Sequence, residues 1–178
     1  IRKKFSRNWR RSLKRSSNFK LKIVPVRNHE IISKLYKEMK FNKGLKQKNI
    51  YSENECKSIY FAFEKKLLIL GAKDEFNKIC SIRGVIIRNG VFHDIFSASN
   101  NFGRLSSASH LILDTLIEKA LIKGNTAYDL SNVDPENSLG VYNFKKGSGG
   151  EVINTLGEFE WSNSILLSIL INLYSKFK

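Results

Sequence analysis

The chain has 178 residues and a mass of 20.5 kDa, and 42% of its residues are hydrophobic, which suits one folded domain and excludes a disordered chain. Its net charge of +15 is uneven, because residues 1–48 carry 17 basic and two acidic residues whereas residues 49–178 carry 14 of each. No apolar run reaches the roughly 20 residues of a membrane-spanning helix, and the two cysteines lack metal-ligand spacing. We therefore expect a basic front end on a neutral body, a cytoplasmic location and no metal site.

The first third of the chain predicts three helices and a strand. Residues 6–17 (SRNWRRSLKRSS) indicate a short basic helix, in which Trp9 and Leu13 are four residues apart on one apolar face. Alternating apolar residues over 19–26 predict a strand that ends near a proline. Two helices follow, with predicted N-caps at Asn28 and Ser52, the first ending near Gly44.

The rest of the chain predicts three antiparallel strands and then alternating helices and strands. The strands cover residues 67–72, 78–87 and 91–99, and Asn89 with Gly90 marks a tight turn between the last two. The elements that follow are a long helix over 106–123, a strand over 127–130, a helical turn over 137–144, a strand over 151–161 and a helix over 164–177. This order predicts an α/β (α+β) fold with a mixed, mostly antiparallel sheet and helices on both faces.

The loop 100–109 before the long helix is the first candidate site. Ligands of open α/β sheets bind where a strand ends and a helix begins, and a helix N-terminus attracts anions. Arg104 offers a charged fork there, while Ser106 and Ser107 offer hydroxyls. Ordinary N-capping by either serine is an equally simple interpretation, which the spacing slightly favours.

A glycine-rich segment, Gly140–Gly150, is the second candidate. Lys145 follows an aromatic residue there and precedes a run of glycines, so it could neutralise charge that develops in a transition state. The alternative is that Lys145 belongs to a solvated turn and has no catalytic role.

Elsewhere, Asp129 lies in a predicted strand without metal-ligand partners. His93 and Asp94 are sequence neighbours in a strand, so their side chains should point to opposite faces.

Five segments are informative when they are taken in order: W-R-R-S-L-K-R-S, F-S-A-S-N, the helix S-S-A-S-H-L-I-L-D-T-L-I-E-K-A-L, A-Y-D-L-S-N and G-V-Y-N-F-K-K-G-S-G-G. Together they resemble the FemABX-type aminoacyltransferases, which build the interpeptide bridge of peptidoglycan. The resemblance spans nearly the whole chain and implies the fold of the GCN5-related N-acetyltransferases (GNAT). It implies a single such domain over 1–178, where relatives often have two, and leaves open whether a further domain precedes Ile1, so that the chain would be a fragment.

The resemblance also implies an activity and its residues. Family members that build these bridges pass an amino acid from aminoacyl-tRNA to an amine of a peptidoglycan precursor. Phe144 and Lys145 fall on the Phe-Lys pair at the reaction centre, where the lysine stabilises charge on the transferred acyl group. GNAT enzymes bind the coenzyme A pyrophosphate through an R/Q-x-x-G-x-G/A loop, but serines replace both glycines here. The expected substrate contacts are Arg104, Ser106, Ser107, Asp129 and Tyr142, although for Asp129 a structural role at the end of its strand is favoured over an acceptor contact.

These observations lead to one preferred function and two alternatives. The preferred function is acyl transfer to an amine of a cell-wall or peptide-type acceptor, with aminoacyl-tRNA or acetyl-CoA as donor and no tightly bound cofactor. The alternatives are an acetyl-CoA-dependent N-acetyltransferase acting on a sugar or small-molecule amine, and a non-catalytic basic module in which Trp9 stacks on a base. The basic helix would dock RNA phosphates or the inner face of a membrane through Arg10, Arg11, Lys14 and Arg15. The oligomeric state is left open.

Overall fold

A computed structural model describes residues 2–43, 51–125 and 127–154, and beyond these residues 164, 165, 167, 169–171 and 173. Its centre is a five-stranded sheet whose spatial order follows the chain, and only the last pair of strands is parallel. The mixed, mostly antiparallel sheet predicted from the sequence is therefore confirmed. The strands are β1 (Lys22–Pro25), β2 (Leu67–Lys73), β3 (Ile79–Arg88), β4 (Val91–Ser99) and β5 (Ala127–Asp129).

The middle of the sheet forms a meander of β2, β3 and β4 because tight turns connect these strands. Asn89 and Gly90 have φ angles of 48° and 71°, which give the twist that a two-residue hairpin needs. The β3–β4 register shifts between Gly84 and Val85, so that Ile95 is an extra residue in β4. Such a bulge redirects the side chains that follow it.

Six α-helices whose bounds the structure describes lie around the sheet. The predicted cap at Ser52 is confirmed by a capping box with Glu55, and Ser6, which was not predicted as a cap, accepts from the amide of Trp9 at 3.2 Å. The amide of Glu30 likewise donates to Asn28 Oδ1 at 2.7 Å. The helices are α1 (Arg7–Ser16), α2 (His29–Lys43), α3 (Glu53–Ala62), α4 (Asn101–Leu105), α5 (Ala108–Ile122) and α6 (Leu139–Gly147).

Apolar residues are buried on both faces of the sheet, which confirms the predicted layers. On one face, Ile32 and Leu35 of α2 pack with Ile69, Ile82 and Phe96 of the strands. The other face buries Ile112 and Leu116 of α5 with Leu70, Val85 and Phe92. Complete burial of such side chains contributes roughly 1.5–3 kcal/mol each.

A third cluster attaches the basic helix α1 to this second face. Phe5, Trp9 and Leu113 are buried together, and Phe144 of α6 packs against them. The amide of Ser6 also donates to the carbonyl oxygen of Gly147 at 2.8 Å. Helix α1 is thus part of the folded body, between α5 and α6.

Several element boundaries differ from the prediction. Strand β1 begins only at Lys22, because residues 17–20 form a turn at the end of α1. The loop before the long helix contains α4, whose N-cap Asn100 accepts from the amide of Gly103 at 2.9 Å. In the predicted strand 151–161, residues 151–154 are irregular and the others lie outside the described residues, as does Gly44. In the predicted helix 164–177, the described residues from 165 to 173 are helical.

Candidate functional site

A gap opens in the sheet where β4 and β5 separate. Among the described residues, β5 pairs with Val91, Phe92 and His93 of β4 and with no others, whereas β4 continues to Ser99. The separation begins at Asp94, next to the bulge at Ile95. Helix α6 carries the glycine-rich candidate segment to this part of the sheet, because Phe144 contacts side chains of β3, α1 and α5.

The ring of Phe144 is enclosed by three side chains. The guanidinium carbon of Arg83 lies 5.0 Å from the centre of the ring, and the His110 ring centre lies 4.9 Å away at an interplanar angle of 75°. The ring centre of Trp9 is 6.0 Å away, and its indole Nε1 donates to the carbonyl oxygen of Phe144 at 3.0 Å. Both the ring and the backbone of the residue before Lys145 are therefore fixed.

Arg83 and Asp94 form a buried ion pair beneath this ring. Arg83 Nη1 lies 2.5 Å from Asp94 Oδ2, and Nη2 donates to the Ser97 hydroxyl at 3.0 Å. The Tyr128 hydroxyl donates to the other Asp94 oxygen at 3.2 Å. Burial raises the pKa of Asp94, while the charges of Arg83 and Lys145 act in the opposite direction. The pair brings one charge of each sign into an otherwise apolar layer.

Lys145 lies at the edge of this buried pair. Its Nζ donates to the carbonyl oxygen of Asn132 at 2.8 Å. Partial burial lowers the pKa of Lys145, with Arg83 acting in the same direction, whereas Asp94 and Asp129 oppose the shift. A lysine that is held next to a gap in the sheet and only partly hydrated interacts more strongly with a developing negative charge than a solvated one does.

His93 and Asp129 form a second polar pair, at the last paired position of β4 and β5. His93 Nδ1 lies 3.2 Å from Asp129 Oδ2, and the amide of Ser131 donates to the other Asp129 oxygen at 2.7 Å. Both side chains are accessible, with 42% and 54% exposure. The sequence excluded a pair between His93 and Asp94, and the structure agrees, since these neighbours have different partners.

The segment from Arg104 to Ser107 is placed differently from the predicted cradle. Ser106 is fully buried, and its hydroxyl donates to the carbonyl oxygen of Phe102 at 2.8 Å. The buried Ser107 has a left-handed φ of 56°, and its hydroxyl accepts from Arg15 Nη2 at 2.6 Å. Neither hydroxyl is directed to a ligand, because each is engaged within the protein. The guanidinium of Arg104 contacts Asn101 and is partly exposed.

The remaining predicted contacts lie on the surfaces of α6 and α1. Tyr142 is half-buried on α6, and its hydroxyl accepts from Lys146 Nζ at 3.2 Å. Arg10, Arg11 and Lys14 are exposed on α1. Arg15 is also exposed, but its guanidinium is engaged by Ser107. The structure therefore brings together Phe144 and Lys145 and leaves the docking residues on a separate exposed surface.

Sequence reasoning missed Arg83, Asp94 and Tyr128. Arg83 interrupts an otherwise apolar strand, and a lone charge among buried strand residues was the signal available. The partner of Arg83 could not be found from the sequence, because the bulge at Ile95 changes the face of the sheet to which the following side chains of β4 point. His110 was not among the predicted site residues; it packs against Trp9 and Phe144, and burial lowers its pKa to about 4.

The described residues contain no group of three His, Cys, Asp or Glu side chains that could hold a metal ion. Cys56 and Cys80 are free and buried, and burial raises the pKa of each, to about 11 for Cys80. Among the helices that the structure describes, none is long and apolar enough to cross a membrane.

Comparison with known families shows to which family the chain belongs. The model of the FemAB family matches residues 72–176, more than half of the chain, including the Arg83–Asp94 pair, the His93–Asp129 pair and the Phe144–Lys145 pair. The chain belongs to the FemAB family. A search of curated proteins gives no significant match.

Solved structures agree with this assignment at the level of fold. FemX is 13% identical with a TM-score of 0.69 over 83% of this chain and 54% of its own, so the chain spans about half of FemX. An aminoglycoside 6'-N-acetyltransferase, AAC(6')-Ih of Acinetobacter baumannii, is 12% identical with a TM-score of 0.59 over 81% of this chain and 99% of that chain. A Trypanosoma brucei acetyltransferase is 14% identical with a TM-score of 0.54 over 79% of this chain and 99% of that chain.

These comparisons confirm the GNAT-like fold and the family predicted from the sequence. The FemAB protein described here is an acyltransferase, as predicted. The alternative of a non-catalytic module gave Trp9 a stacking role on nucleic acid. That role is wrong, because only 2% of Trp9 is exposed and its ring packs against Phe5, His110 and Phe144.

Proposed function

We propose that this FemAB protein transfers an aminoacyl group from aminoacyl-tRNA to an amine of a peptidoglycan precursor. The observation that carries the proposal is the position of Lys145, whose partly buried ammonium group lies beside Phe144 at the gap between β4 and β5. FemAB membership supports the choice of donor and acceptor. The transfer reaction would take place in the cytoplasm, at the inner face of the membrane.

In this reaction the acceptor nitrogen attacks the carbonyl carbon of the aminoacyl ester. A carbon–nitrogen bond forms while the carbonyl oxygen becomes an oxyanion, and collapse then breaks the bond to the tRNA ribose oxygen. Lys145 stabilises the oxyanion by its charge. Phe144 keeps the lysine in place, since its ring is held by Arg83 and His110 and its carbonyl by Trp9.

The substrate contacts divide between two parts of the chain. Arg104 and the backbone amides at the start of α5 would hold a phosphate of the donor or acceptor, while Ser106 and Ser107 shape this segment through their internal hydrogen bonds. Tyr142 and Asp129 would contact the acceptor near Lys145. The exposed Arg10, Arg11 and Lys14 of α1 would bind the tRNA phosphates or anionic headgroups.

The test is a transfer assay with purified protein. Radiolabelled alanyl-, seryl- and glycyl-tRNA are supplied in turn with UDP-N-acetylmuramoyl-pentapeptide, and label in the precursor is measured. We expect transfer from at least one donor, and a loss of about 10²–10³-fold in kcat for Lys145→Ala. Lys123→Ala, which removes an exposed lysine after α5, is the control. Absence of transfer from all donors, or full activity of Lys145→Ala, would overturn the proposal.

A second candidate is acetyl-CoA-dependent N-acetylation of a sugar or small-molecule amine. The observation that favours it is that the likeness covers 99% of AAC(6')-Ih, and that the related AAC(6')-Iy was solved with a CoA-based bisubstrate analogue. Acetyl-CoA should then raise the melting temperature of the protein, whereas an aminoacyl-tRNA-dependent enzyme should show no such shift. Acetyl transfer to an aminoglycoside in the same preparation would decide for this candidate.

A further inference from the structure

His93 has no role in the proposed transfer as described so far, although its partner Asp129 is an expected acceptor contact. We propose that His93 is the general base that removes the proton from the acceptor amine, and that Asp129 is the positioning residue that orients its ring. This inference rests on the proposed function, because it concerns the same reaction. It adds a catalytic group that the Phe144–Lys145 pair does not provide.

A continuous path of contacts joins His93 to Lys145. His93 Nδ1 contacts one oxygen of Asp129 at 3.2 Å, and the amide of Ser131 donates to the other oxygen at 2.7 Å. The next residue, Asn132, accepts the hydrogen bond from Lys145 Nζ at 2.8 Å. The short segment from Asp129 to Asn132 thus holds the histidine at one end and the lysine at the other. Because the charges of Asp129 and Lys145 also interact, we place both groups at one site.

The contact with Asp129 determines which nitrogen of His93 is free. An ionised carboxylate can only accept hydrogen bonds, so Nδ1 must carry the proton in this contact. The Nε2 lone pair of neutral His93 is then available to accept a proton. The His93 side chain is 42% exposed, so an acceptor amine has access to it. An oriented histidine with a free ring nitrogen is the usual arrangement of a general base.

The other ionisable groups near the gap are poorly suited to this task. Asp94 has only 6% of its side chain exposed and is engaged by Arg83 and Tyr128. His110 is buried against Trp9 and Phe144. Lys145 acts as a cation in its proposed role, so it is not the group that accepts the proton. The charge of Asp129 interacts with Lys145 on α6 and with Asp94 on β4. Arg83 on β3 interacts in turn with both of these groups.

The proton balance of the step is simple. The acceptor ammonium gives one proton to His93 Nε2, and the free amine attacks the ester carbon with formation of the carbon–nitrogen bond. When the carbon–oxygen bond breaks, the remaining excess proton on the nitrogen passes to the leaving ribose oxygen. The imidazolium of His93 then releases its proton to solvent. The net products are the amide, the free hydroxyl and one proton.

The experiment compares His93→Asn and Asp129→Asn with wild type in the tRNA-dependent assay. Asparagine retains a donor toward Asp129 but cannot accept the proton, so we expect kcat of His93→Asn to fall by about 10²–10⁴-fold while KM for the charged tRNA is unchanged. The deficit should shrink above about pH 9, where the acceptor amine begins to lose its proton unaided. Added imidazole should restore part of the rate in His93→Ala. Glu136→Gln, which removes an exposed carboxylate from the same connection, is the control for Asp129→Asn.

A second measurement does not depend on activity. Nitrogen chemical shifts of the His93 ring should show the Nδ1–H form in wild type, and Asp129→Asn should reduce its population. A ring that carries its proton on Nε2 would overturn the proposal, as would full kcat in His93→Asn when Lys145→Ala is inactive. Full kcat in His93→Asn together with an inactive Lys145→Ala would leave the proposed function intact. A wild-type protein that transfers nothing would instead contradict both the proposed transfer and the role of His93 as its base. Thermal melts of each variant identify losses caused by unfolding.

Discussion

The indole Nε1 of Trp9 donates a hydrogen bond to the carbonyl oxygen of Phe144, 135 positions later in the chain, at 3.0 Å. Trp9 belongs to the basic helix that carries Arg10, Arg11 and Lys14, and Phe144 precedes Lys145. One hydrogen bond therefore connects the proposed docking surface with the proposed reaction centre.

Replacing Trp9 by phenylalanine should affect the proposed reaction centre and leave the proposed docking surface unchanged. Trp9→Phe keeps an aromatic ring in the cluster but leaves the Phe144 carbonyl with only the longer bond from the Ser148 amide at 3.3 Å, which should cost about 0.5–1.5 kcal/mol of stability. We expect a lower kcat with little change in KM for the charged tRNA, measured in the transfer assay. An unchanged kcat would show that Phe144 is fixed without this bond. Trp9→Ala, at about 3–5 kcal/mol, would test packing instead.

The Arg83–Asp94 pair should matter more for catalysis than for stability. Removing one partner, as in Asp94→Asn, leaves a buried charge without its counter-ion and should cost roughly 3–5 kcal/mol. The double variant Arg83→Met/Asp94→Leu replaces both charges by apolar groups, and its free energy of unfolding in urea should approach that of wild type. Its kcat should nevertheless stay low, because the Phe144 ring loses the guanidinium that contacts it. A fully active double variant would contradict this role.

His110 should make the protein sensitive to acid. Burial, with the charges of Arg15 and Arg83, lowers the pKa of His110 from 6.5 to about 4 in the folded state. Because the unfolded chain binds this proton more readily, the contribution to stability is present above pH 6.5 and is lost as the pH falls toward 4. Urea unfolding across this range should show the loss, of up to about 3 kcal/mol. His110→Phe should flatten that part of the profile.

The proposed docking surface should be detectable from the salt dependence of KM for charged tRNA. Substituting Arg10, Arg11 and Lys14 by glutamine should raise KM for charged tRNA and reduce the slope of log KM against log salt concentration by about 2–3, since each phosphate contact contributes roughly 0.7–0.9. The matched control substitutes the exposed Lys57, Lys65 and Lys78. Equal effects of the two triple variants would indicate general charge attraction rather than a docking surface.

The regular parts of this fold could be predicted because local signals determine them. Strand β4 begins and ends as predicted, since Asn89 and Gly90 fix the preceding turn, and the Ser52–Glu55 capping box fixes the start of α3. Helix α4 was not predicted, because its five residues show no helical periodicity and depend on the cap at Asn100.

The site was harder to predict because its contacts are between distant residues. Lys145 was a candidate from its position before a run of glycines, and the family resemblance added Phe144 and the roles of both residues, which remain a proposal. The pairs Arg83–Asp94 and His93–Asp129 depend on the register of β3, β4 and β5 and on one bulge, none of which the sequence specifies locally.

The contact between α1 and α6 has a consequence for the order of folding. A Cβ at Gly147 would lie 3.0 Å from Trp9 Cδ1, and one at Gly149, whose φ is +81°, would lie 2.6 Å from Lys4 Cβ. Helix α1 therefore cannot complete its packing until a glycine-rich segment more than a hundred residues later has been made. Until then Phe5 and Trp9 lack part of their cover, so the nascent chain should engage chaperones through α1, and transfer activity should be among the last properties to appear.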